Sequence, residues 1–213
     1  MIDFSNYSSV IFDMDGVIVN NHKYHLRAWE MFCNKYGYEF DIKTFSERFF
    51  GKSNHEILQK LAGNEISKDE SEMLGEEKEQ IYRDLYIDEI KPLDGLVPVL
   101  EKIKENGVTT AIASSAPLSN IDFVLDSLNI RDYFDVIVDA SMVEYSKPNP
   151  AIYLRAASIL NVEPSRCLVF EDSHSGIKAA IDAGMDVIAV ATTHSKEELS
   201  YNLRKIINFS DLA

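Results

Sequence analysis

Short apolar, β-rich runs alternate with helical patterns along most of the 213-residue chain. The runs are Ser9–Phe12, Thr109–Ala113, Asp135–Val138, Cys167–Phe170 and Asp186–Val190. Strands buried on both faces read as continuous apolar stretches, and crossover helices separate parallel strands. The pattern predicts an α/β fold built on a doubly wound parallel sheet.

The helices carry readable ends. Asp94 precedes a helix over Gly95–Glu105 that Gly107 closes, and Gly184 closes one from about Ser175 to Ala183. Asn149 reads as an N-cap with Pro150 at the first helical position. Between residues 20 and 89 the alternation stops. Helical patterns fill that stretch: His22–Tyr36, His55–Leu61 and Asp69–Tyr86, with capping boxes at Ser53/Glu56 and Ser67/Glu70. The expected organisation is a sheet domain over 1–19 and 90–213, with an all-helical cap over 20–89 inserted after the first strand. The Pro and Gly of Lys91-Pro92-Leu93-Asp94-Gly95 suit a hinge.

Composition narrows the partners. Hydrophobic residues make up 46% of the chain, enough for a real core. The net charge of −14 opposes nucleic acid and anionic membrane, so neither is expected as a partner. The start, Met1 to Ser9, is polar and acidic, unlike a signal peptide, and no apolar run reaches the ~18 residues of a membrane span. A cytoplasmic, monomeric protein is expected. Cys33 and Cys167 sit in apolar surroundings and read as buried thiols.

In open parallel sheets, ligands bind beyond the carboxyl ends of the strands. The residues there are Asp13-Met14-Asp15-Gly16 after the first run and Ser114-Ser115 after the second. Lys147-Pro148 follows the third across a loop, and Glu171-Asp172-Ser173 follows the fourth. Asp-x-Asp-Gly alone is a weak signal; the order, spacing and strand-end placement of all four carry the reading. Four converging carboxylates repel one another unless a hard cation joins them, and Mg²⁺ is the usual choice where phosphate binds. Asp13, Asp172 and a backbone carbonyl suffice as ligands, with Glu171 ligating or orienting a metal-bound water. Asp13 is the candidate nucleophile, forming an aspartyl-phosphate, and Asp15 the general acid and base. Gly16 allows a tight turn, and Lys147 and Ser114 stabilise the transferring group.

These motifs resemble the haloacid dehalogenase-like phosphatase and phosphomutase superfamily. The resemblance rests on Asp13-Met14-Asp15-Gly16-Val17, Ala113-Ser114-Ser115, Ser146-Lys147-Pro148-Asn149-Pro150 and Phe170-Glu171-Asp172-Ser173 with Ser175-Gly176. It implies a Rossmann-like core with a helical cap. It also implies Mg²⁺ held by Asp13, the Asp15 carbonyl and the Glu171/Asp172 pair. True dehalogenases lack the second aspartate, so Asp15 favours phosphoryl transfer.

Within the superfamily the chain is similar to β-phosphoglucomutases and sugar-phosphate phosphatases. The segment Tyr24-His25-Leu26-Arg27-Ala28-Trp29 resembles a mutase cap segment, in which His25 would assist lid closure; alternatively His25 is a packed helical histidine. The cap loop reads Phe50-Gly51-Lys52-Ser53-Asn54. A mutase would place a lysine at Phe50 and a phosphate-binding arginine at Asn54. It would also carry a lysine where this chain has Ala116-Pro117. With Gly51, Lys52, Asn54, His25, Ser114, Ser115 and Lys147 as candidate substrate contacts, the expected activity is a phosphatase of small phosphorylated metabolites, sugar phosphates above all. A β-phosphoglucomutase-like isomerase is the alternative. Three features are set aside as ordinary: Gly51-Lys52-Ser53 as a P-loop remnant, His22/His25 as a zinc pair, and Asp69–Glu79 as anything beyond a solvated helix face.

Overall fold

The computed structural model describes residues 2–49, 53–63 and 66–212. It separates into two compact units, Met1–Asn20 with Lys91–Ala213, and Asn21–Ile90.

The larger unit contains a six-stranded, all-parallel sheet. Its strands are β1 (Ser9–Phe12), β2 (Thr109–Ala113), β3 (Val136–Val138), β4 (Cys167–Glu171), β5 (Asp186–Val190) and β6 (Arg204–Ile206). Their spatial order is β3-β2-β1-β4-β5-β6. That is the doubly wound Rossmann order, whose switch point lies between β1 and β4. Phe12 pairs with Ile112 on one side and Phe170 on the other, so the ends of β1, β2 and β4 lie level.

Adjacent residues of β1 point to opposite faces. Ile11 belongs to an apolar cluster with Ile152, Tyr153, Ile177 and Leu199. Phe12 instead joins Phe134, Phe170 and Phe209, with ring centroids 5.2–6.0 Å from its own. All four residues of β1 are buried, which is why it reads as an unbroken apolar run.

The sheet differs from the sequence expectation in small ways. β6 has no apolar-run signature, because it is three residues long and begins Arg-Lys. The helix α6 (Leu118–Leu128) follows Pro117, which offers no side-chain cap. The helix after Lys147 begins at Ala151, so Pro150, not Asn149, occupies the N-cap. Asn149 still contributes: its Oδ1 accepts from the Ala151 amide at 3.0 Å. The other α-helices of this unit, among the described residues, are α5 (Leu96–Glu105), α7 (Ala151–Leu160) and α8 (His174–Asp182).

In the smaller unit the regular elements, among the described residues, are all helical. They are α1 (His22–Tyr36), α2 (Ile42–Phe49), α3 (Asn54–Ala62) and α4 (Lys68–Tyr86). Trp29, Phe32, Phe45, Ile57, Leu58 and Leu74 form its core. The Ser53/Glu56 capping box is complete at the start of α3. At α4 the Ser67 side chain accepts from the Glu70 amide at 3.2 Å.

The expectation of a solvated face over Asp69–Glu79 holds for only part of α4. Ser71, Leu74, Gly75, Lys78, Glu79, Tyr82 and Tyr86 form a buried stripe at helical spacing. Lys78 and Glu79 are 2% and 3% exposed, and they pair at 2.8 Å. Charges this deep survive only when paired. Burial works against the Glu79 charge. Lys78, then His25 and the hydrogen bond from Asn54, outweigh it and lower its pKa from 4.5 to about 2. A carboxylate with a depressed folded-state pKa adds stability above its unfolded pKa. That stability drains away as pH falls from about 4.5 toward 2. The shift corresponds to about 3 kcal/mol. Glu79→Gln is therefore expected to destabilise the protein by about 3 kcal/mol at pH 7, and by about half as much at pH 3. Denaturant unfolding at the two pH values measures this; equal losses at both would show that charge is not the cause.

Candidate active site

The chemistry-bearing residues gather where β1 and β4 end, at the switch point. Asp13 directly follows β1 and stays on the ladder through its amide, which donates to the Phe170 carbonyl at 3.0 Å. The next turn is tight. The Met14 carbonyl accepts from Val17, Ile18 and Val19, and the Gly16 amide donates to the Val19 carbonyl at 2.7 Å. Gly16 has φ +82°, and a Cβ there would overlap the Asp172 carboxylate. Any larger residue would be strained and would displace that side chain. Thr192 Oγ1 donates to the Gly16 carbonyl at 2.5 Å and holds the turn from the β5 side.

Lys147 ties the strand ends together. Its Nζ donates to Asp13 Oδ1 at 2.6 Å, Glu171 Oε2 at 2.8 Å and the Ala113 carbonyl at 3.3 Å. The three acceptors use all three ammonium protons. Burial disfavours the charge, but Asp13 and then Glu171 more than compensate and push the Lys147 pKa well up. Lys147 is therefore a fixed cation beside the Asp13 carboxylate.

The Glu171 carboxylate is a hub. Oε2 accepts from Lys147 and from the Tyr153 hydroxyl at 2.5 Å. Oε1 accepts from the Asp172 amide, the Ser173 amide and Ser173 Oγ, at 2.9–3.0 Å. Burial opposes its charge; the Lys147 ammonium and these donors prevail and bring its pKa from 4.5 to about 2. Five donors saturate the roughly four acceptor positions of a carboxylate. Gly176, in the first turn of α8, makes room for it: a Cβ there would collide with the Glu171 carboxylate.

Asp172 is the opposite case. It is buried, and among the described residues its Oδ2 has no hydrogen-bond partner. Burial, then the charges of Glu171 and Asp13, drive its pKa well above 3.8. Asp13 is likewise raised, by burial foremost, then by Glu171 and Asp15, with Lys147 pulling the other way. One oxygen each from Asp13, Glu171 and Asp172 lies within 4.8 Å of the other two. An orphaned buried oxygen beside two more carboxylates is a donor set suited to a hard cation.

The other expected residues take clear places. Asp15 sits half-buried in the turn after Asp13. Ser114 follows β2, its amide donates to the Val138 carbonyl, and its Oγ accepts from the Ala116 amide at 3.1 Å. That leaves the hydroxyl proton available to an acceptor. Ser115 is half-buried beside it. Phe50, Gly51 and Lys52 lie outside the described residues.

His25 and Asn54 belong to the helical unit. The His25 ring stacks on Tyr82, 3.8 Å between centroids, and its Nδ1 lies 2.9 Å from Lys78 Nζ. Asn54 Nδ2 donates to Glu79 Oε1 at 2.8 Å. Cys33 and Cys167 are buried free thiols, and burial raises both to about 11. Sequence reading missed Tyr153, Thr192 and the Lys78–Glu79 pair. Only the pair left a usable signal, since both residues lie on the buried stripe of α4.

The chain is 31% identical to fructose-1-phosphate phosphatase YqaB of Escherichia coli, over 88% of this chain and 98% of that protein. It is 34% identical to the β-phosphoglucomutase of Bacillus subtilis, over 85% and 82%. It superposes on the crystal structure of β-phosphoglucomutase from Clostridium difficile with a TM-score of 0.84 and 34% identity, covering 97% of this chain and 93% of that one. The sequence model described as haloacid dehalogenase-like hydrolase matches residues 10–190, which takes in Asp13, Ser114, Lys147, Glu171 and Asp172. With the sheet order and the clustered carboxylates, this shows that the chain belongs to the haloacid dehalogenase-like hydrolase family.

Proposed function

We propose that this chain is a Mg²⁺-dependent phosphatase of small phosphorylated metabolites, sugar phosphates foremost, working through an aspartyl-phosphate on Asp13. The observation that carries it is the contact of Asp13 with the Lys147 ammonium in a buried cluster whose Asp172 Oδ2 has no hydrogen-bond partner among the described residues.

The residues divide the reaction as follows. An Asp13 carboxylate oxygen attacks phosphorus and the ester P–O bond breaks. Asp15 gives a proton to the leaving alkoxide. Asp15 then takes a proton from water as that water attacks the phosphorus, releasing inorganic phosphate and restoring Asp13. Lys147 and the Ser114 hydroxyl stabilise charge on the transferring oxygens. The side chains of Asp13 and Asp172 and the Asp15 carbonyl would hold Mg²⁺, which supplies charge neutralisation to the phosphoryl group. The five donors on Glu171 support its role as an orienting residue rather than a direct ligand.

A mutase reading also has relatives behind it, and the cap weighs against it. A mutase must hold a second phosphate dianion and needs an uncommitted cation to do so. Asn54 stands where an arginine is expected, and it bonds Glu79. Lys78, the buried ammonium of the same cluster, is already paired with Glu79. The cap cluster of Lys78 and Glu79 is thus charge-balanced.

The deciding assay uses β-glucose 1-phosphate, a trace of glucose 1,6-bisphosphate and Mg²⁺, beside a panel of esters that includes fructose 1-phosphate. Free phosphate without isomer is expected, and excess chelator should stop it. Rapid glucose 6-phosphate formation with little free phosphate would establish the mutase instead.

A further inference from the structure

We infer that the Tyr153 hydroxyl is a positioning group of the active site. It fixes the Glu171 carboxylate, and through it the Lys147 ammonium and the adjoining Asp172. The inference rests on the reading of this cluster as a phosphoryl-transfer site.

Tyr153 is fully buried in the first turn of α7, within the apolar cluster beneath the sheet. A phenylalanine would fill the same space. Burying a hydroxyl costs free energy unless it finds a partner. Here the partner is not a nearby backbone group but the charged hub itself, 2.5 Å away. The ring also lies under the Lys147 ammonium, 4.9 Å from Nζ to centroid, so one side chain touches both members of the Lys147–Glu171 pair.

Tyr153 and Lys147 share Glu171 Oε2, while Lys147 divides its protons between Glu171, Asp13 and Ala113. With the hydroxyl gone, Oε2 is left with the ammonium alone. The ammonium is then drawn toward Glu171 and away from Asp13. The carboxylate also loses the contact that sets its tilt on the α7 side. The Asp172 amide donates to the other oxygen of the same carboxylate, so a shifted Glu171 shifts Asp172 with it. Such supporting contacts commonly govern metal affinity and turnover by ten- to a hundredfold.

The test is Tyr153→Phe in the full chain, with Mg²⁺ affinity measured calorimetrically without substrate. The Mg²⁺ Kd should weaken about tenfold and kcat fall about tenfold, with KM within about twofold and the melting temperature nearly unchanged. The same change placed in Glu171→Gln should add less than about twofold to the Mg²⁺ Kd, because the route through Glu171 is already cut. Parental Mg²⁺ binding by Tyr153→Phe would overturn the inference. So would an equal loss in both backgrounds, or a Tyr153→Phe chain that fails to fold, which would assign the hydroxyl to stability alone. The calorimetry needs no substrate. If no ester is hydrolysed, the phosphatase reading falls while the role of Tyr153 is still decided.

Discussion

Asp13→Asn is expected to lower kcat at least about 10⁴-fold while leaving the protein folded and no less stable. An amide oxygen is a poor nucleophile and cannot yield the acyl phosphate on which the second half of the proposed reaction depends. The stability side follows from electrostatics. Asp13 is buried beside Glu171 and Asp15, and its carboxylate is disfavoured by burial first and by those charges next. An asparagine keeps an oxygen for the Lys147 hydrogen bond and removes one member of a mutually repelling group. The melting temperature should therefore hold or rise. Rates on the best ester and a thermal melt measure both. A folded Asp13→Asn protein within tenfold of parental activity would remove Asp13 as nucleophile.

Gly176→Ala should lower activity by about a hundredfold or more and also destabilise the protein, reversing the usual sign of this substitution. Inside an ordinary helix, alanine is favoured over glycine by about 1 kcal/mol. Gly176 lies within α8 at unremarkable φ, so propensity alone predicts a gain. The added Cβ, however, would occupy the place of the Glu171 carboxylate. That carboxylate cannot yield cheaply, because five donors hold it, two of them backbone amides. Moving it leaves Lys147, Tyr153 and Ser173 under-satisfied in a buried site. Each unsatisfied buried group costs about 1–3 kcal/mol, which exceeds the propensity gain. Urea unfolding and steady-state kinetics test the two halves. A Gly176→Ala protein more stable than the parent and fully active would show that the helix, not the hub, sets the demand at this position.

Much of the site was legible because its residues immediately follow apolar runs. Asp13, Ser114 and Asp172 could be placed at strand ends from local pattern, since an apolar run that breaks off at polar residues announces itself in the chain. Lys147 was legible only through its motif, because a loop separates it from β3. Tyr153 had no such mark. It is an aromatic at a helical core position, and nothing local distinguishes a hydroxyl that meets a carboxylate from one that meets water. On α4 the error ran the other way. A run dense in Asp and Glu reads as solvated, yet its helical spacing carries Lys78 and Glu79 inward, where each stabilises the other.

By itself, the sequence determined the strand runs, the interruption by a helical segment, and the identity and order of the candidate reactive groups. These depend on periodicity, propensity and capping, which act over a few residues. Tertiary structure alone decided that β1 lies between β2 and β4, so that groups 134 and 24 residues distant from Lys147 meet its ammonium. It also decided the electrostatics. Glu171 and Asp172 are neighbours of the same chemical type, yet one is driven down to about 2 and the other well up. Burial penalises both alike. What separates them is the set of donors that the fold delivers to Glu171 and withholds from Asp172 Oδ2, and donors arriving from distant elements leave no trace in the order of residues.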